Sequence, residues 1–164
     1  MDIAGSEHTS QYTQFIFDAC IQNCVVIGQH KHGCCVMQRC LEKGTRVQKM
    51  QLADFIIQSI AYLIEDPFGN YLVQNVLKLE DEGKNTSILN YIAQDFLRLS
   101  QLKFSSNVIE KCLNSKFMGD SEEQTAIDRI FMGTYVVDDR QLIFELGSAP
   151  WRLRDIKQRI PFIV

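Results

Sequence analysis

The chain is poor in proline, the residue that interrupts helices, which occurs only 3 times in 164 residues. No stretch shows sustained apolar–polar alternation, which removes the signature of half-buried strands. No apolar run approaches the roughly 18 residues a transmembrane helix requires. An excess of basic charge is also lacking, since 17 Lys and Arg against 20 Asp and Glu leave a net charge of -3. That balance argues against gripping nucleic acid through phosphates alone, which needs a basic surface. It does not exclude a protein that reads bases on one face, because net charge averages over faces. The first residues, MDIAGSEHTS, lack the charged and apolar regions of a secretory signal. A cytoplasmic location without membrane contact is therefore expected. No P-loop, triad or paired-carboxylate motif is found, so no enzyme activity and no cofactor is expected. What is present is globular: 46% hydrophobic and 23% charged residues.

Six cysteines are present, three of them with two histidines in HKHGCCVMQRC, residues 30–40. In a reducing compartment free, mostly buried thiols are the default. A zinc site is disfavoured, because the segment has no C-x₂-C pair matched by a second ligand pair. Asn85-Thr86-Ser87 is formally a glycosylation sequon, read here as a polar turn or helix start.

A step of 36 residues organises the chain. It carries HKHGCCVMQRCL (30–41) onto DPFGNYLVQNVL (66–77) and LKFSSNVIEKCL (102–113). The small residue recurs as Gly33, Gly69 and Ser105, and Leu41, Leu77 and Leu113 stay in step. Upstream, Ile16, Cys20, Cys24 and Ile27 align with Leu52, Ile56, Ile60 and Leu63, and with Ile88, Ile92, Phe96 and Leu99. The spacings of 4, 4 and 3 mark one face of a helix. Each unit is thus a helix, a tight turn at the small residue and a second helix. Gly44, Gly83 and Gly119 are expected to end the second helices in left-handed conformation. By the same alignment Cys20, Cys24 and Cys40 are core, and His32 is a turn-packing ring in the slot of Phe68 and Phe104. Units of this kind bury their apolar stripe only by stacking, which gives an all-α solenoid.

Each second helix opens on a variable triplet at its first, second and fifth positions. These are Cys34, Cys35 and Gln38, then Asn70, Tyr71 and Gln74, then Ser106, Asn107 and Glu110. Positions i, i+1 and i+4 lie on or beside one helix face. The three segments resemble the RNA-reading helices of the Pumilio (PUF) family, over roughly residues 15–118. The resemblance implies a right-handed α-solenoid of stacked Pumilio-type repeats, a truncated array matching the fifth to seventh of the family's eight. The repeats are placed at about 15–50, 51–86 and 87–118, after an N-terminal segment, 1–14, taken as the remnant of a preceding repeat.

The resemblance further implies that each unit meets one base of single-stranded RNA. Cys34 with Gln38 would read adenine, Asn70 with Gln74 uracil, and Ser106 with Glu110 guanine, while Cys35, Tyr71 and Asn107 stack. A carboxylate suits guanine N1–H and N2–H, and an amide suits uracil O4 and N3–H. With RNA antiparallel to the chain this spells GUA of a UGUA element in messenger RNA 3′ untranslated regions. Cys35 departs from the commoner Arg or aromatic residue, so stacking there is expected to be weaker. Lys31, Arg39, Lys103 and Lys111 are near enough to approach phosphates.

Beyond the third unit the pattern weakens. Thr134, Tyr135 and Asp138 form a degenerate fourth site, only 28 residues after Ser106, and 119–164 is a degenerate repeat or cap. Three bases at about 1–3 kcal/mol each, less association costs of several kcal/mol, imply roughly micromolar to millimolar RNA binding. The family's role, post-transcriptional repression through recruited repressor or deadenylation proteins, is implied for a whole molecule. The competing expectation is a protein-binding helical scaffold without sequence-specific RNA recognition. The base-edge pairs distinguish the two, since a scaffold has no reason to carry them.

Overall fold

The structure, a computed structural model, describes residues 7–114. The segment 119–164, with Thr134, Tyr135 and Asp138, lies outside the described residues, as does Gly119. The described residues form a right-handed α-solenoid. Unit one holds α1 (Glu7–Gln22), α2 (Cys24–Gly28) and α3 (Lys31–Lys43). Unit two holds α4 (Arg46–Gln58), α5 (Ile60–Leu63) and α6 (Gly69–Leu77). Unit three holds α7 (Glu82–Gln94), α8 (Phe96–Gln101) and α9 (Ser105–Asn114). Helices α1, α4 and α7 pack side by side in one layer, and α3, α6 and α9 in the other. Between them lies a continuous core that includes Met37, Leu52, Ile56, Leu63, Leu72, Val76, Ile88, Leu99 and Val108. Cys20, Cys24 and Cys40 are part of it, as the alignment predicts. Among the described residues no helix is long and apolar enough to cross a membrane.

The first helix of each unit, expected to be continuous, is broken at the same phase: Asn23, Ser59 and Asp95. Their φ/ψ angles of -124/35, -97/9 and -146/44 leave the α region. Short polar side chains offer the backbone alternatives to the helix ladder, which explains their choice; Asn23 Nδ2 donates back to the Ala19 carbonyl at 3.2 Å. The apolar spacing runs through the break because both pieces still bury the same side.

The small residue lies within the first turn of the second helix rather than in the turn before it. Close approach explains it. A Cβ on Gly33 would sit 2.3 Å from the Ile27 carbonyl oxygen, and one on Gly69 would sit 2.7 Å from that of Leu63. In unit three Ser105 fills the slot and donates to the equivalent carbonyl, Leu99, at 2.7 Å. The turn is capped from the other side. Asp66 Oδ1 accepts from Phe68 N and Gly69 N, each at 2.8 Å. His30, at the same phase in unit one, uses Nδ1 to accept from His32 N at 3.3 Å and Gly33 N at 3.4 Å.

Two glycine expectations fail. Gly44 ends α3 in extended conformation, φ -63 and ψ 165, where close contact with the Phe17 ring excludes a Cβ. Gly83 lies in the first turn of α7, and the left-handed residue of that connection is Glu80, φ 54. His32 is exposed rather than packed. Helix α3 rests on α2, α4 and α6 and leaves its other side open among the described residues. Val36 on that side is 46% exposed, where Leu72 and Val108 are fully buried.

The units are tied at matching phases. Gln29 Nε2 donates to the Tyr62 carbonyl at 2.9 Å, and Arg98, three dozen residues after Tyr62, meets Glu65 at 2.7 Å. In the layer of α1, α4 and α7 Gln48 Nε2 donates to Gln14 Oε1 at 2.9 Å, and Lys84, at the phase of Gln48, pairs with Asp54.

Candidate nucleic-acid interface

The three triplets begin α3, α6 and α9, which pack in order, so they fall along one face of one layer. Within each triplet the first residue is buried: Cys34 is 2% exposed, Asn70 0% and Ser106 4%. Each is anchored. Asn70 Nδ2 donates to the Asp66 carbonyl at 2.8 Å and the Pro67 carbonyl at 3.1 Å. Ser106 Oγ donates to Lys103, the counterpart of Pro67, at 3.2 Å. The Cys34 thiol donates across the unit boundary to the Phe68 carbonyl at 3.2 Å.

The fifth residue leans back on the first. Gln38 Nε2 donates to Cys34 Sγ and Gln74 Nε2 to Asn70 Oδ1, both at 3.0 Å. Each glutamine keeps a second N–H and the whole of its Oε1. Glu110 is exposed. Burial pushes the Cys34 thiol pKa up, against the pull of the Gln38 hydrogen bond, so the sulfur keeps its proton and donates it to the Phe68 carbonyl. In units one and two the first residue therefore fixes the orientation of the fifth. That division of labour is invisible in sequence spacing, which shows only that the two share a face.

The second residues protrude. Tyr71 is 51% exposed with its ring in solvent, Cys35 is exposed with its thiol on the Lys31 carbonyl at 3.3 Å, and Asn107 is half-buried. The cations near the face are partly engaged: Arg39 pairs with Glu42 at 3.2 Å, and Lys103 lies over the Phe104 ring at 5.3 Å. Lys31 is exposed and Lys111 half-buried.

The metal-like look of residues 30–40 dissolves into separate duties. His30 caps α3, Cys34 anchors Gln38, and Cys40 meets Cys20 in the core, where that hydrogen bond raises Cys40 and lowers Cys20. Among the described residues no three His, Cys, Asp or Glu side chains are placed to hold a metal ion.

Comparison with known proteins gives the same periodicity. The chain matches the Pumilio-family RNA binding repeat over residues 23–57, 59–93 and 96–115. These segments cut the period at the helix breaks, a different point of the cycle from 15–50, 51–86 and 87–118. A Pumilio domain-containing protein of Schizosaccharomyces pombe is 42% identical over 100 residues, 61% of this chain and 15% of the relative. Pumilio homolog 12 of Arabidopsis thaliana is 38% identical over 116 residues, 71% of this chain and 19% of the relative. The chain thus spans less than a fifth of either. Among solved structures, the RNA-binding domain of yeast Puf5p bound to SMX2 RNA superposes with a TM-score of 0.72 at 29% identity, covering 94% of this chain and 50% of that one. The Puf4 RNA binding domain bound to the HO endonuclease 3′ UTR recognition sequence gives 0.58 at 28%, covering 94% and 58%. With three consecutive repeats matched over more than half its length, this chain belongs to the Pumilio family of RNA-binding repeat proteins.

Proposed function

We propose that the chain binds cytoplasmic messenger RNA single-stranded, one base per unit, reading the GUA of a UGUA element, and that it contributes to post-transcriptional repression. The observation that carries this is the repeated pair at the head of α3, α6 and α9: a buried, anchored first residue, which in α3 and α6 holds the fifth, and which in α9 stands beneath the exposed Glu110. Gln74, held by Asn70, keeps an N–H for uracil O4 and Oε1 for N3–H. Gln38 offers the same two groups to adenine N1 and N6–H, with the smaller Cys34 behind it leaving room for a purine. Glu110 offers only acceptors, matching the N1–H and N2–H donors that guanine alone presents. Tyr71 supplies a ring face, worth about 1–3 kcal/mol per stacked base.

Fluorescence anisotropy with short RNAs containing UGUA, UUUA or UGUG tests the reading. UGUA is expected to bind tightest, each exchange costing about 1–3 kcal/mol, the usual discrimination of a good bidentate pair. Equal affinity for all three would sink sequence-specific reading and leave a helical scaffold. A second readout is chemical. Of the six cysteines only Cys35 is exposed, whereas burial drives Cys112 up to about 12 and raises Cys24 and Cys34. Iodoacetamide at neutral pH is therefore expected to alkylate Cys35 first. UGUA RNA at ten times its Kd should slow that labelling about tenfold, in proportion to the free fraction. Unchanged labelling at saturation would place the RNA elsewhere.

A further inference from the structure

A cavity of about 400 Å³ opens between the first turn of α4 and the connection from α6 to α7. It belongs to no triplet: Lys78 lies one helical turn beyond Gln74 and two beyond Asn70. Three cations, Arg46, Lys49 and Lys78, line it with two acids, Glu80 and Asp81. The lining carries one more cation than acids. Asp81 is committed to capping α7, accepting from Lys84 N at 3.0 Å. The Arg46 side chain is exposed and makes no hydrogen bond or ion pair among the described residues. Lys49 Nζ reaches the Glu42 carbonyl at 2.8 Å and Lys78 Nζ reaches Asn75 Oδ1 at 2.7 Å, each keeping further hydrogens. The amides of Arg46 and Val47, the first of α4, have no carbonyl within the helix to bond. Met50 and Leu79 supply apolar wall, and Val47 beside Arg46 is 66% exposed.

We propose that this cavity docks a short segment of a protein partner in which acidic side chains alternate with apolar ones. A carboxylate meets Arg46 with Lys49 and Lys78, and the neighbouring apolar side chain covers Met50, Leu79 and Val47. Charge complementarity decides for a peptide over the backbone of a bound RNA. Phosphates recur at every nucleotide, so a strand laid here would also press charge against Glu80. A peptide carries one carboxylate to the cations and sets an uncharged residue beside the acids. A partner seated here leaves the triplet face open, so RNA and partner bind together.

Anisotropy of the full chain with a short labelled peptide of repeated Gly-Glu-Leu tests this, with Gly-Lys-Leu as control. Saturable binding of the acidic peptide is expected, weakened about tenfold by Arg46→Glu and, independently, by Lys78→Glu. Affinity for UGUA RNA should be unchanged in both variants, and circular dichroism should show an unaltered melt. Absence of saturable binding, equal binding of the lysine peptide, or full affinity in the variants overturns the proposal. Loss of RNA affinity in both variants also overturns it, assigning the cavity to nucleic acid.

Discussion

Changing Ser106 to Asn together with Glu110 to Gln is expected to move the preference at one RNA position from guanine to uracil. The backbone is already laid out for the exchange. Ser106 donates to the Lys103 carbonyl, and Asn70 donates to Pro67, its counterpart one unit earlier. An Asn side chain at 106 therefore finds acceptors in the arrangement that holds Asn70, and presents its oxygen to the amide of the Glu110→Gln side chain. That amide regains a donor for uracil O4 and loses the double acceptor that guanine requires. With each good pair worth about 1–3 kcal/mol of discrimination, the guanine-to-uracil ratio should swing by roughly one to two orders of magnitude. Competition between UGUA and UUUA RNAs measures it. If guanine remains preferred in the double variant, these residues do not read the base. Ser106→Asn alone should weaken guanine binding without creating a uracil site, because Glu110 still lacks a donor.

The second large effect concerns stability. Gly69→Ala sets a methyl 2.7 Å from the Leu63 oxygen, 2.9 Å from its Cα and 3.0 Å from its Cδ2. The first two atoms are backbone at the end of α5, so relief requires moving one helix away from another. Overpacking of this kind costs about 1–3 kcal/mol, and Gly69→Val should cost more. A chain of this length loses about 2–4 °C of Tm for each kcal/mol. Gly83→Ala is the control. Its Cβ would meet only Asp81 Oδ1 at 3.6 Å, so the better helix former should gain about 0.4–1 kcal/mol. Thermal melts of both variants decide the matter, and a Gly69→Ala melt as high as that of Gly83→Ala would remove the close-approach explanation.

The architecture was legible in the sequence because burial repeats: Ile56 and Ile92 are core, and Cys20 with them, as one face of a repeated helix requires. The triplets were legible as positions, because a spacing of one and four residues fixes a face. Their internal order was not. Nothing in the letters says that Cys34, Asn70 and Ser106 lie almost wholly inside while Gln38 and Gln74 reach back to them. The helix breaks escaped because apolar periodicity is blind to a backbone bend that keeps the same side buried, although Asn23, Ser59 and Asp95 share an aptitude for leaving the helix. His30 was hidden by its type. The aspartate one unit on, Asp66, performs the same cap with a more familiar side chain. His32 misled for the opposite reason: its aligned partners Phe68 and Phe104 are half-buried, but α3 has no second helix of a preceding unit beside it among the described residues to receive it.

The ties between units differ in kind. Units one and two are joined by an amide on a carbonyl, Gln29 to Tyr62, and units two and three by an ion pair, Glu65 to Arg98, on half-exposed side chains. Dissolved ions screen the second and leave the first untouched. In a linear array each unit leans only on its neighbours, so loss of order spreads like an opening zipper from its weakest tooth. Rising ionic strength therefore chooses where this zipper opens, at the joint between units two and three.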